Sequence, residues 1–187
     1  MQTIDRQDVT GLILAGGRGS RMGGADKGLL PFDGVPLVKG TLDRFSPQVG
    51  TLVISCNRNF DQYAEYASTL VSDELADFQG PLAGVHACTG HVKTPLLAIV
   101  PCDTPNLPRD LVIRLAGAMG AKDDVAYVHD GHRAHYLHAV LHQRALATLP
   151  GYLKTGERSM KGWYATLCSV EVDFSEQTHA FTNINRQ

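Results

Sequence analysis

Apolar runs alternate with stretches of helical spacing along most of the chain. Val9 to Leu14 is a short apolar run that ends in glycines, so it reads as a buried strand. Pro36 to Phe45 places Leu37, Val38, Leu42 and Phe45 on one face at helical spacing, with Pro36 in the first turn, where a missing N–H is tolerated. Thr51 to Ser55 predicts a second strand, a short helix follows near Asp61, and Thr69 to Ser72 predicts a third strand. After the turn Gly80-Pro81, Leu82 to His91 reads as a helix and Pro95 to Val100 as a further strand. Leu111, Leu115 and Met119 stack on one side of a helix. Val125 to His129 and His138 to Leu141 read as strands separated by the polar turn Asp130-Gly131-His132. Arg144 to Lys154 predicts a helix that Pro150 must break or kink, and Cys168 to Phe174 a last strand.

Strands separated by helices imply an α/β fold of three layers, a mostly parallel sheet with helices on both faces. The expected organisation is a single domain over residues 1–187. In such sheets ligands bind beyond the C-terminal ends of the strands. That rule selects Ala15 to Lys27, Cys56 to Asn59, Asp73 to Gly84 and Pro101 to Pro105, which are also the segments richest in chemistry.

Composition adds exclusions. A formal net charge of -2 gives no support for a nucleic-acid partner. No apolar run is long enough to span a bilayer, and no membrane association is expected. Met1 to Thr10 carries Asp5, Arg6 and Asp8 and does not read as a secretory signal. Cys56, Cys88, Cys102 and Cys168 have no zinc or redox spacing and read as four small buried hydrophobes. A cytoplasmic location is the expectation.

The segment from Leu14 to Lys27 holds five glycines directly after a strand. Glycine lets the backbone approach a ligand closely, so that successive N–H groups point at phosphate oxygens. Arg21 and Lys27 add positive charge where phosphoryl and nucleotidyl transfer accumulate negative charge. Two other phosphate loops are excluded. Lys27 precedes Gly28, not Ser or Thr, so the Walker pattern fails. Gly17 and Gly19 begin a dinucleotide fingerprint, but Met22 stands where its third glycine belongs.

Leu14-Ala15-Gly16-Gly17, followed by Ser20-Arg21-Met22-Gly23 and Lys27, resembles the signature of the pyrophosphorylase-like nucleotidyltransferases, whose fold is Rossmann-like. Met22-Gly23-Gly24 with Asp26-Lys27-Gly28-Leu29 is similar in particular to the MobA family of molybdenum cofactor guanylyltransferases. Gly80-Pro81-Leu82-Ala83-Gly84, Pro101-Cys102-Asp103-Thr104-Pro105 and Asn183-Ile184-Asn185 resemble that family's second glycine, metal-binding and C-terminal motifs.

The resemblance implies transfer of GMP from GTP to the terminal phosphate of molybdopterin, with Mg²⁺ required and pyrophosphate released. The N-terminal half would bind nucleotide and the C-terminal half molybdopterin. Arg21, Lys27 and Asp103 are the expected catalytic residues, and Asp103 the metal ligand. A carboxylate after a strand suits Mg²⁺, a hard cation that shares oxygen ligands with phosphates; a lone Asp there also reads as a cap for a helix opening near Pro108. Leu14, Ala15, Gly16, Gly17, Asn57, Asp73, Gly80 and Gly84 are expected around the nucleotide. Asp73 is suited to guanine's N1–H and N2–H₂ edge, and Gly80 and Gly84 to leaving room for base or ribose. Arg158, Asn183 and Asn185 are expected at the site, with Lys154, Arg158 and Lys161 near the pterin phosphate. Cofactor-delivery proteins and molybdoenzyme chaperones are the partners the family implies.

Five of the eight histidines fall in His129 to His142, with no carboxylate or cysteine at ligand spacing, and read as a solvated or pterin-facing surface. Trp163 reads as core. The chain departs from the family pattern in His135-Tyr136-Leu137-His138, which lacks a common proline, and in Arg186-Gln187 after the Asn-x-Asn motif. Three alternatives stay open: a cytidylyltransferase with the same acceptor, a sugar-phosphate nucleotidyltransferase, and an adaptor that binds without chemistry.

Overall fold

Leu97 and Ile99 face one side of a central sheet, and Leu96, Ala98 and Val100 the other. That period-two division is repeated in neighbouring strands, and it creates a core on each face. The computed structural model describes residues 4–16, 26–73 and 80–184. In chain order the strands are β1 (Val9–Leu14), β2 (Pro31–Phe32), β3 (Val35–Pro36), β4 (Thr51–Ser55), β5 (Thr69–Val71), β6 (Leu96–Pro101), β7 (Val125–His129), β8 (Ala134–His142) and β9 (Ser169–Asp173). The helices are α1 (Leu37–Phe45), α2 (Phe60–Ala64), α3 (Pro81–Cys88), α4 (Leu111–Ala118), α5 (Gln143–Leu146), α6 (Leu149–Lys154) and α7 (Met160–Tyr164).

Seven strands form the sheet in the order β5-β4-β1-β6-β8-β7-β9. β5, β4, β1 and β6 run parallel, and β7 pairs parallel with β9. The sheet is mostly parallel, as the sequence predicts, and β8 alone runs antiparallel to both of its neighbours. The cause is the tight turn after His129. Gly131 has φ 88, a conformation glycine adopts without Cβ strain, and the chain reverses directly into β8.

Buried residues of α1 and α4 pack on one face with Ile13, Val100, Val140, Phe174 and Phe181. α3 and α5 to α7 cover the other face, around Leu12, Val53, Ile99 and Leu141. Trp163 is fully buried there, as its sequence position predicts, and its indole N–H donates to Thr148 Oγ1 at 2.9 Å. The helix expected over Arg144 to Lys154 is two helices. Pro150 sits in the first turn of α6, because its ring would clash with a carbonyl of an uninterrupted preceding turn. Cys56, Cys88 and Cys102 are buried, but Cys168 is exposed just before edge strand β9, which corrects the expectation of four buried thiols.

The chain leaves β1 for β4 and β5 on one side and returns to β6 on the other. The strand order therefore reverses at β1, which opens a crevice beyond its C-terminal end. The glycine-rich segment begins at that point.

Candidate active site

Three backbone hydrogen bonds hold the strand ends level. Ala15 N–H donates to Ser55 O at 2.8 Å, Cys102 N–H to Leu14 O at 3.1 Å, and Cys56 N–H to Val71 O at 2.9 Å. Ala15 and Gly16, Asn57, Asp73 and Asp103 thus share one rim. Gly17, Arg21 and Asn185 lie outside the described residues.

Lys27 and Asp103, 76 positions apart, meet there: the Lys27 ammonium donates to Asp103 Oδ2 in a short ion pair. The Asp103 side chain is nearly buried, and its Oδ1 has no hydrogen-bond partner among the described residues. A buried carboxylate oxygen without a donor is costly and marks a place for a cation. Asp103 is also well anchored through its main chain. Thr41 Oγ1 donates to Cys102 O at 3.1 Å, and Ile184 N–H to Asp103 O at 3.1 Å. The adjacent helix begins only at Leu111, so Asp103 caps nothing.

Asn57 and Asp73 form a second pair. Asn57 Nδ2 donates to Asp73 Oδ2 at 3.1 Å, and Asp73 N–H donates to Asn57 Oδ1 at 2.9 Å. Burial raises the Asp73 carboxyl above its ordinary range, and the Asn57 bond partly offsets this. Its Oδ1 is buried without a partner among the described residues. A cavity of about 480 Å³ opens beside it, lined also by Ala83 and His86. Gly16 approaches Asn57 closely: a Cβ there would lie 3.2 Å from Asn57 Nδ2.

The two glycines of the second motif differ. Gly80 has φ 104, and the nearest atom to an added Cβ would be Arg158 O at 3.9 Å. Gly84 faces inward, where an added Cβ would meet Ser55 Oγ at 2.6 Å and Leu14 Cδ2 at 2.8 Å. The space expected for a ligand at Gly84 is filled by the sheet itself.

A separate cavity of about 420 Å³ joins Pro81 and Pro101 to Arg158, Lys161, Asn183 and the strand from Arg133 to His138. Lys154 does not line it. Arg158 Nη1 donates to Leu153 O at 2.9 Å and Glu157 O at 2.8 Å, which ties its guanidinium to the main chain between α6 and α7.

Of the histidine cluster read as a solvated or pterin-facing surface, His135 and His138 are buried, so the solvated reading fails for these two, and both line the cavity beside Arg158. His135 Nε2 lies 2.6 Å from Asp130 Oδ2, and His138 Nε2 lies 3.2 Å from Thr104 Oγ1. Burial, then the neighbouring His135, pushes the His138 imidazole down to about 3. No group of three His, Cys, Asp or Glu suited to a metal occurs among the described residues.

A carboxylate with one open oxygen and a lysine at the reversal point of the sheet, with a cavity beside Asp73 further along the same rim, fit a nucleotide-using transferase. A model of the MobA-like NTP transferase domain matches residues 11–171. The chain belongs to this family. A molybdenum cofactor guanylyltransferase of Vibrio cholerae is 40% identical over 99% of this chain and 91% of its own. One from Cupriavidus taiwanensis is 45% identical over 97% of this chain and 94% of its own. The molybdopterin-guanine dinucleotide biosynthesis protein A of Archaeoglobus fulgidus shares the fold, with TM-score 0.76 at 22% identity, covering 94% of this chain and 92% of that one.

In this MobA-like domain several residues that the sequence analysis gave no role also bond around the rim. Asn59 and Tyr63 both donate to the carboxylate of Asp26, the residue before Lys27, and Thr104 and His138 tie the Asp103 turn to β8. Asp26 and Thr104 adjoin Lys27 and Asp103 in their motifs, Asn59 closes the rim segment Cys56 to Asn59, and His138 belongs to the histidine cluster; Tyr63 had no signal. No helix among the described residues is long and apolar enough to cross a membrane.

Proposed function

We propose that the chain is a molybdenum cofactor guanylyltransferase, which moves GMP from GTP to the terminal phosphate of molybdopterin and releases pyrophosphate. The observation that carries this reading is the Lys27–Asp103 pair at the end of β1 and β6, set between a cavity beside Asp73 and another beside Arg158. Curated relatives of that name, at 40% and 45% identity over nearly the whole chain, support the choice of substrates.

In this reading the N-terminal half takes the nucleotide. Leu14, Ala15, Gly16, Gly17 and Gly80 bring backbone to the triphosphate and ribose, while Arg21 and Lys27 neutralise phosphate oxygens. Asn57 and Asp73 face the base, with Asp73 Oδ1 accepting from guanine. Gly84 serves by letting α3 press against Ser55 and Leu14. The C-terminal half takes molybdopterin in the cavity of Arg158, Lys161 and Asn183, whose cations suit its phosphate, with Asn185 following in the same motif. The open Oδ1 of Asp103 fits Mg²⁺, which keeps few protein ligands and shares the rest with phosphates and water. Bound there, the metal would take up charge that develops on the triphosphate.

The acceptor phosphate oxygen attacks the α-phosphorus. A new P–O bond forms, the α–β bridge breaks, and pyrophosphate leaves with the electron pair. The attacking oxygen is already ionised, so no general base is needed; alignment and neutralisation by Lys27 and Arg21 carry the step. The expected setting is the cytoplasm, with cofactor-delivery proteins and molybdoenzyme chaperones as partners.

The experiment offers GTP and CTP separately to the purified protein with Mg²⁺ and molybdopterin, and measures pyrophosphate and dinucleotide. Product from GTP alone is expected. Product from CTP alone would move the reading to cytidylyl transfer, and none from either would leave a sugar-phosphate acceptor or a binding protein.

A further inference from the structure

Asp26 is an acid buried directly beside the phosphate-side lysine, and the chemistry proposed above gives it no role. Its side chain is only 6% exposed. Oδ1 accepts from Tyr63 Oη at 2.7 Å and from Gly28 N–H at 3.2 Å. Oδ2 accepts from Asn59 Nδ2 at 3.0 Å, and the Arg58 Nε stands 3.5 Å away. One donor belongs to the turn that carries Lys27, and the other three to the β4–α2 loop and α2.

Several local features serve this arrangement. The Gly28 bond closes the backbone over Lys27, so the lysine Cα is held between two fixed points. An added Cβ at Gly28 would collide with Tyr63 Oη, so glycine at this position lets the tyrosine hydroxyl reach Asp26. Asn59 adopts φ 56, a left-handed conformation that Asn tolerates and most side chains resist. Burial, then the hydrogen bond to Asp26, raises the Tyr63 phenol far above its ordinary value, so it stays a donor. The loop that supplies Asn59 also supplies Asn57, the partner of Asp73.

We propose that Asp26 is the positioning residue for Lys27, and that with Asn59 and Tyr63 it fixes the lysine to the same loop that faces the nucleotide base. Lysine has a long flexible stem, and its ammonium is useful in transfer only if the stem starts from a fixed point. Asp26 touches no reacting atom; it acts through Lys27. The proposal rests on the reading of the site as a nucleotidyltransferase.

The test is a double-mutant cycle of Asp26→Asn with Lys27→Ala, measured as kcat and as KM for GTP in guanylyl transfer. In the wild-type background Asp26→Asn is expected to lower kcat by about 10- to 100-fold with a change in KM of about threefold or less. In the Lys27→Ala background the same substitution is expected to change kcat by less than about threefold, because the group it positions is gone. An equal loss in both backgrounds would overturn the proposal. Tyr63→Phe, which keeps the ring and removes one donor, enters the same cycle if Asp26→Asn does not fold by circular dichroism. Gly28→Ala gives a second check: its kcat loss is expected to be partly rescued by Tyr63→Phe, which removes the colliding oxygen, and no rescue would count against the arrangement. Wild-type protein that makes no product would overturn the transfer reading instead. The cycle is then read in affinity for inorganic pyrophosphate, where the same non-additivity supports the positioning role and simple additivity rejects it.

Discussion

The main-chain N–H of Ile184 donates to the carbonyl oxygen of Asp103 at 3.1 Å. The C-terminal motif is thus docked on the turn that presents the Asp103 carboxylate. Ile184→Pro deletes the N–H and leaves a carbonyl in the site without its donor. A loss of about 1–3 kcal/mol is expected. Turnover should fall more than GTP affinity, since the Asn57–Asp73 pair that faces the base in the proposed reading lies on other strands. A thermal melt with steady-state kinetics checks both parts, and unchanged kcat would show that the docking is dispensable.

Lys27 and Asp103 are unequal partners, and their removal should differ. Asp103 is nearly buried, while Lys27 is 28% exposed. Lys27→Ala strands a buried carboxylate and should destabilise the fold by about 3 kcal/mol; Asp103→Ala leaves a lysine that can reach water and should cost clearly less. Both should cut turnover by orders of magnitude. Normal turnover of Asp103→Ala at ordinary Mg²⁺ would rule out the metal assignment. Mn²⁺ binding in the absence of nucleotide adds a direct readout: it should tighten in Lys27→Ala, where the competing ammonium is gone.

Regular elements such as α1 and β7 were legible because they are written in period. Leu37, Val38 and Phe45 repeat at helical spacing and are buried together, and β7 spans the residues Val125–His129 that the apolar run predicts. The rim was legible because each loaded segment follows a parallel strand. Contacts between distant segments were not. Nothing local joins Lys27 to Asp103 or Asp26 to Tyr63, since those pairs exist only once β1, β4 and β6 lie side by side. The histidines misled for a related reason. The cluster was read as solvated or pterin-facing because it is polar, yet His135 and His138 are buried, with Asp130 bonding the one and Thr104 the other. Gly84 was assigned space for a ligand, when α3 uses that space to approach β4.

Gly84 gives a prediction that separates packing from binding. Gly84→Ala forces a methyl against Ser55 Oγ and Leu14 Cδ2, and overpacking of this kind costs about 1–3 kcal/mol. Ser55→Ala opens room on the same side. The double variant should therefore recover part of the lost melting temperature, and GTP affinity should recover with it. If affinity stays low while stability returns, Gly84 meets the ligand directly.

His138 should make the fold sensitive to acid. In the unfolded chain its imidazole titrates near 6.5; in the folded chain burial, then His135, pushes it down to about 3. Thr104 Oγ1 bonds its Nε2, and its Nδ1 has no partner among the described residues that would stabilise the charged form. Between the two values the unfolded chain holds a proton that the folded chain does not. The contribution is therefore complete above pH 6.5 and is lost as the pH falls toward 3, at about 1.4 kcal/mol per pH unit. His138→Phe removes the titration and keeps a ring against Phe181. Urea unfolding at pH 7 and pH 5 should show the wild type losing about 2 kcal/mol more than the variant over that interval. The comparison uses the change with pH, so any constant penalty of the substitution cancels. Equal losses in the two proteins would mean that His138 takes up its proton as readily in the folded chain as in the unfolded one.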